Sequence, residues 1–100
     1  MNVEILREAE LELNTAVAYY EDMEMGLGIR LRDEARAVVQ WIARNPEVPR
    51  LRAKGYRRVN LKVFKHYIAY FIWADTIWVI AVADGRRRPE YWLKRKKLIG

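Results

Sequence analysis

One hundred residues carrying a formal net charge of +6 and 52% hydrophobic side chains suffice for a single folded domain over 1–100 and argue against intrinsic disorder. The absence of cysteine excludes a disulfide framework, a thiolate metal site and a thiol nucleophile, and suits a reducing compartment. The longest apolar run, Tyr67 to Ala74, falls far short of the roughly 20 residues that span a bilayer, and the N-terminus lacks a signal-like pattern. The sequence therefore reads as a soluble cytoplasmic protein without a membrane partner.

Asn2 to Leu6 alternate weakly and predict a short first strand. From about Glu8 the period changes: Ala9, Leu13, Ala16, Val17 and Tyr20 share one helical face while Glu8, Glu12 and Glu21 point outward. Gly26-Leu27-Gly28 breaks this helix, since glycine accepts the left-handed backbone of a helix end. A second helix follows with Leu27, Leu31, Ala35, Val38 and Ile42 as its stripe, and Asn45-Pro46 stops it. The two helices form an antiparallel hairpin.

After Gly55 the pattern is sheet. Tyr56 to Phe64 alternate, with Val59, Leu61 and Val63 apolar and Arg58, Asn60 and Lys62 polar, so Arg58 and Lys62 are expected to project together. Tyr67 to Trp73 and Ile77 to Ala83 are apolar on both faces, with Ala74-Asp75-Thr76 as the turn between them. The expected fold is α+β: an N-terminal strand, then a helical hairpin packed on a small antiparallel sheet in the order β-α-α-β-β-β, with a short basic tail. Two helices cover only one face of such a sheet. The other needs the tail, where Tyr91, Trp92 and Leu93 are placed to fold back, or a partner; a thick core is the plainer alternative.

Charge is segregated along the chain. Residues 1–25 hold seven acids (Glu4, Glu8, Glu10, Glu12, Glu21, Asp22 and Glu24) against Arg7 alone, and the second half is basic with aromatic residues interleaved. That suits a surface meeting phosphates or an acidic protein, although the same cations would also keep a small domain soluble. There is no serine, one histidine and no glycine-rich phosphate loop, so a serine triad, a histidine-based metal centre and a nucleotide-cradling loop are not expected. No cofactor and no small-molecule substrate are implied. His66 opens a strand, and its simplest role is pairing with a backbone carbonyl. In Arg86-Arg87-Arg88, three consecutive side chains cannot all point one way, so at least one should pair internally while the others face outward.

Taken in order, Tyr19-Tyr20, Gly26-Leu27-Gly28, Ile42-Ala43-Arg44-Asn45-Pro46, Tyr56-Arg57-Arg58, Phe64-Lys65-His66-Tyr67-Ile68-Ala69-Tyr70, Ile80-Ala81-Val82-Ala83 and Arg86-Arg87-Arg88-Pro89-Glu90-Tyr91-Trp92 resemble the RelE/ParE superfamily of toxins from type II toxin–antitoxin modules, the plasmid-stabilisation proteins. The resemblance spans essentially the whole chain. It implies a cognate antitoxin partner, met here by Tyr20, Leu31, Tyr70, Ile72, Trp78 and Ile80. It also implies a cellular target, met by Arg58, Lys62, Arg86, Arg87, Arg88, Tyr91, Trp92 and Arg95. Two activities occur in the superfamily. A ribosome-dependent messenger-RNA ribonuclease would draw on Arg57, Arg58, Lys62, Arg87 and Tyr91. Ile68, however, stands where that branch places a central arginine on the third strand, and Asp84 stands where many relatives carry histidine. The resemblance therefore favours the ParE-like branch, which inhibits DNA gyrase by binding; the alternatives are the ribonuclease acting on ribosome and message, and an interaction module whose toxicity has decayed.

Overall fold

The computed structural model describes residues 1–99. The elements are strand β1 (Asn2–Ile5), helices α1 (Arg7–Met23) and α2 (Leu27–Arg44), strands β2 (Arg57–Asn60), β3 (His66–Trp73) and β4 (Thr76–Asp84), and a tail of helix α3 (Glu90–Leu93) running into a 3-10 turn, Lys94–Leu98. The strands form one sheet in the order β1-β4-β3-β2. The α+β class and the element order agree with the sequence pattern. One expectation is corrected: the sheet is mixed rather than wholly antiparallel, because β1 pairs parallel to β4, Asn2 opposite Thr76 through Ile5 opposite Val79. The long α1–α2 excursion carries the chain back to the same end of the sheet, which permits parallel pairing.

The helical hairpin turns where glycine was expected to turn it. Gly26 takes φ 87°, and the Glu21 carboxylate accepts the backbone N–H groups of Gly26 at 2.8 Å and Gly28 at 3.0 Å. These bonds hold the Glu21 carboxyl below its ordinary pKa. A Cβ at Gly28 would lie 2.2 Å from the Val17 carbonyl oxygen, so only glycine lets the helices meet this closely. Leu31, Ala35 and Ile42 of α2 and Ala9 of α1 are buried, and Asn45 follows the last turn as expected.

The hairpin between β3 and β4 is a two-residue turn at Ala74 and Asp75, both with positive φ, 50° and 62°. That geometry matches the strand twist but is costly for a residue with a Cβ, alanine above all. Replacing the pair with Asn-Gly (Ala74→Asn with Asp75→Gly) should stabilise the fold by about 0.5–1 kcal/mol, read as a rise in the urea midpoint. An unchanged or lower midpoint would count against this turn.

The sheet is covered on both faces. Toward the helices, Ile68, Val79 and Val82 floor the gap between α1 and α2. On the other face the tail does what the sequence allowed it to do. Trp92 is fully buried, its ring edge-on to Tyr56 at 4.8 Å and to Tyr67 at 6.2 Å, while Tyr56 also meets Phe71. Two sequence expectations change here. β2 ends at Asn60, and 61–65 form an irregular loop in which the Lys62 backbone N–H donates to the Glu34 carboxylate. Lys62 therefore does not share a strand face with Arg58. The reason lies in Leu61 and Phe64, which turn inward as core residues, 6% and 7% exposed, instead of continuing the alternation.

Candidate functional site

β1 is too short to cover β4. Its partnership ends at Val79, where the Leu6 N–H donates to the Val79 carbonyl at 2.9 Å. Beyond that point β4 would present an open edge, an expensive exposure for backbone groups near a core. Two side chains continue the ladder. The Glu12 carboxylate accepts the Val82 N–H at 3.1 Å, and Arg95 donates to the Ile80 carbonyl at 3.1 Å. Arg95 and Glu12 also pair with each other through two bonds of 2.9 and 3.1 Å. The β3–β4 register shifts between Ala69 and Tyr70, leaving Ile80 without a partner opposite it. The resulting bulge aims its carbonyl toward the tail.

This edge forms one wall of a cleft of about 640 Å³ between α1, the end of β4 and the tail. α1 contributes Leu11, Thr15, Tyr19 and Tyr20; the sheet contributes His66, Val82 and Asp84; and the tail contributes Arg86, Arg87, Tyr91 and Arg95. Leu11 and Tyr19 are 51% and 61% exposed. Spaced i, i+4 and i+8 with Thr15, they make a stripe along the cleft mouth. Met23 follows one turn on, also exposed.

The electrostatics follow from who pairs with whom. Among the described residues two ion pairs form, Arg86–Asp84 and Arg95–Glu12. Arg86 donates to both Asp84 oxygens, at 3.0 and 2.6 Å, and these bonds hold the Asp84 carboxyl well below the usual carboxylate range. One arginine of the run is thus paired internally, as the sequence implied, and Asp84 is its partner. Arg87 stacks its guanidinium 3.7 Å above the Tyr91 ring. Burial, followed by the nearby Glu12 charge, raises the Tyr91 phenol above its ordinary pKa. Burial lowers the His66 pKa against the opposing pull of Asp84. Contrary to expectation, the buried imidazole Nδ1 finds no carbonyl.

Asp84 gives a pH signature. A carboxyl whose folded pKa lies below its unfolded value stabilises the fold above the ordinary carboxylate range, and that contribution disappears as pH falls through the range toward the folded value. Between about pH 4 and pH 2, the urea midpoint of the unaltered protein should therefore fall more steeply than that of Asp84→Asn. Parallel slopes would contradict the pairing.

The structure sorts the site residues anticipated from sequence. Arg86, Arg87, Tyr91, Arg95 and Tyr20 converge on the cleft, and exposed Arg88 lies beside it in a shallow hollow with Arg87 and Tyr91. Arg58 lies across the sheet with its guanidinium 4.2 Å above the Tyr67 ring. Arg57 is spent on the Pro49 carbonyl at 2.9 Å, and Lys62 borders a separate hollow with Arg30 and Glu34. Several residues have no surface to offer a partner in this conformation. Trp92 is sealed under the tail, and Leu31, Tyr70 and Ile80 are 0% exposed. The Tyr70 hydroxyl donates to the Pro46 carbonyl at 2.7 Å, and burial pushes its pKa up to about 12. Arg95 is committed to Glu12 and Ile80. Ile72 and Trp78 are half-buried near the β3–β4 hairpin, at the far end of the sheet from the cleft. The exposed stripe Leu11–Tyr19 escaped the sequence reading, although its i, i+4, i+8 spacing on the acidic side of α1 was a usable signal. Among the described residues no three His, Asp or Glu side chains are grouped to hold a metal, and no helix is long and apolar enough to cross a membrane.

No protein-family model matches the sequence, and no curated protein matches it significantly. In three dimensions the chain is similar to one from the chromosomal ParDE TA (toxin–antitoxin) system of P. aeruginosa, with 14% sequence identity and a TM-score of 0.64, over 84% of this chain and 95% of that one. At that identity the likeness is one of fold: the helical hairpin on a small sheet is shared with a chain of a ParDE system.

Proposed function

We propose that this chain is a ParE-like toxin, a binding protein that inhibits DNA gyrase in the cytoplasm and is held inactive by a cognate antitoxin. The observation that carries the reading is the shared fold with a ParDE-system chain, joined to a cleft whose mouth offers apolar Leu11 and Tyr19 beside Arg87 and Arg88, which form no ion pair among the described residues. On this reading the antitoxin lays an amphipathic segment along the stripe and cleft, and the target meets the basic tail. The gyrase assignment follows the resemblance of the sequence to the ParE-like branch. Ile68, 0% exposed and turned toward the helices, supports binding over ribonuclease chemistry, because that position supplies no cation to a scissile phosphate.

Purified protein should inhibit gyrase supercoiling and trap DNA breaks in a cleavage assay. Absence of both would overturn the gyrase assignment. Ribosome-dependent cutting of a reporter message that vanishes in Arg87→Ala would install the ribonuclease reading in its place.

A further inference from the structure

The mouth of the cleft is oppositely charged on its two sides. On α1, Glu8 and Asp22 each stand two turns from Thr15 and so close the Leu11–Thr15–Tyr19 stripe at either end. Across the cleft the tail carries Arg87 and Arg88. All four charged side chains are exposed, and none forms an ion pair among the described residues. Deeper in, charge cancels in place, Asp84 against Arg86 and Glu12 against Arg95. Arg7 is the one cation before Gly26, and Glu90, in the hollow with Arg88, is the one acid after Asp84.

An occupant that satisfies both sides must carry both signs in reversed order. A uniformly acidic surface meets repulsion from Glu8 and Asp22, and a uniformly basic one meets it from Arg87 and Arg88. The mouth itself has the required pattern. Turned about a twofold axis along the cleft, a second copy sets its tail against α1 and its α1 against the tail, so each acidic side faces a basic one and both contacts form at once. The apolar surface fits the same arrangement. Leu11, Tyr19 and Met23 are 51%, 61% and 62% exposed, and the twofold lays this stripe on the other copy's tail, where Arg87 stacked on Tyr91 at 3.7 Å offers a flat face. The same segregation along the chain, seven acids in residues 1–25 and a basic tail, steers two copies into this orientation.

We propose that the free protein forms a twofold dimer through this mouth, each copy closing the cleft of the other. The dimer is weak, dissociating at about 10 µM, because its apolar part is a single helix stripe and its polar part is solvent-screened charge. One consequence rests on the toxin reading: the second copy covers the stripe and the arginines that antitoxin and target would meet, so self-association competes with both.

The test is sedimentation equilibrium of the full chain from about 1 to about 200 µM, a range that brackets the expected constant. The mass should rise from monomer to dimer, and the dissociation constant should weaken about tenfold between about 0.05 and 0.5 M salt. Tyr19→Ala should weaken it about tenfold. Reversing the acidic side (Glu8→Lys with Asp22→Lys) or the basic side (Arg87→Glu with Arg88→Glu) should leave a monomer. Reversing both sides in one chain keeps the net charge and should restore the dimer. Glu47→Lys and Lys97→Glu, which change charge away from the mouth, should shift the constant less than about twofold. A monomer throughout the range, a dimer indifferent to either reversal, or a fully reversed chain that stays monomeric would overturn the proposal. Should the fully reversed chain fail to fold by circular dichroism, an equimolar mixture of the two half-reversed chains decides, since their heterodimer alone pairs both sides. The two readings fail separately: a gyrase-negative protein that dimerises in this way loses the toxin assignment only, and a monomeric gyrase inhibitor loses the dimer only.

Discussion

Replacing Trp92 with alanine is expected to cost about 3–5 kcal/mol, the range for removing a fully buried large aromatic. Trp92 is the largest side chain with no exposed surface; it packs edge-on against Tyr56 and Tyr67, and its indole N–H donates to the Tyr67 hydroxyl at 2.9 Å. Its removal opens a void beneath the tail and leaves the Tyr67 phenol, whose pKa burial has already raised, without its donor. In a domain of this size each kcal/mol moves the melting temperature by about 4–8 °C, so calorimetry should record a fall of about 12–40 °C. Trp92→Phe should recover much of it. A fall below about 5 °C for Trp92→Ala would mean that the tail is not docked as described. The same logic reassigns Trp92: loss of target binding on its mutation would report a detached tail, whereas Arg87→Ala and Tyr91→Ala test the surface itself.

The second large effect is expected at Glu12, where alanine should cost about 2–3 kcal/mol. Glu12 and Arg95 side chains are 20% and 15% exposed, too wet for the full penalty of a buried pair and too dry for a surface one. Deleting the carboxylate strands the Val82 N–H and leaves Arg95 with the Ile80 carbonyl as its partner. Glu12→Gln keeps an acceptor for Val82 and should lose roughly half as much as alanine. In a double-mutant cycle with Arg95→Ala, measured by urea unfolding, the two sites should couple by at least about 1 kcal/mol, because both close one open edge. Additivity would show that each acts alone.

The helices were legible because their periodicity is strong and their stops are chemical. Gly26 must take a left-handed turn, and Pro46 forbids the preceding residue an α conformation. β3 and β4 were legible from continuous apolar runs. β2 was read too long, since Leu61 fits the alternation although it lies in a loop, where Phe64 rather than Val63 turns into the core. β1 was read as a strand without its direction, which no alternation of four residues encodes. At the site, the internal pairing of one arginine and the involvement of Asp84 could be argued from local sequence. The commitment of Arg95 could not, since its partners Glu12 and Ile80 lie 83 and 15 residues away.

By itself, the sequence determined a small basic α+β protein with a helical hairpin, two central apolar strands and a cation-rich tail, because period, turn chemistry and charge are local properties. Tertiary structure decided which of those side chains remain available. The tail's docking through Trp92 removed an apolar face from solvent, and β1's early end recruited Glu12 and Arg95 as backbone substitutes. The loop after β2 set Lys62 apart from Arg58, beside Arg30 and Glu34. Burial and pairing are relations between distant segments, and they alone distinguish a guanidinium that holds the fold from one that waits for a partner.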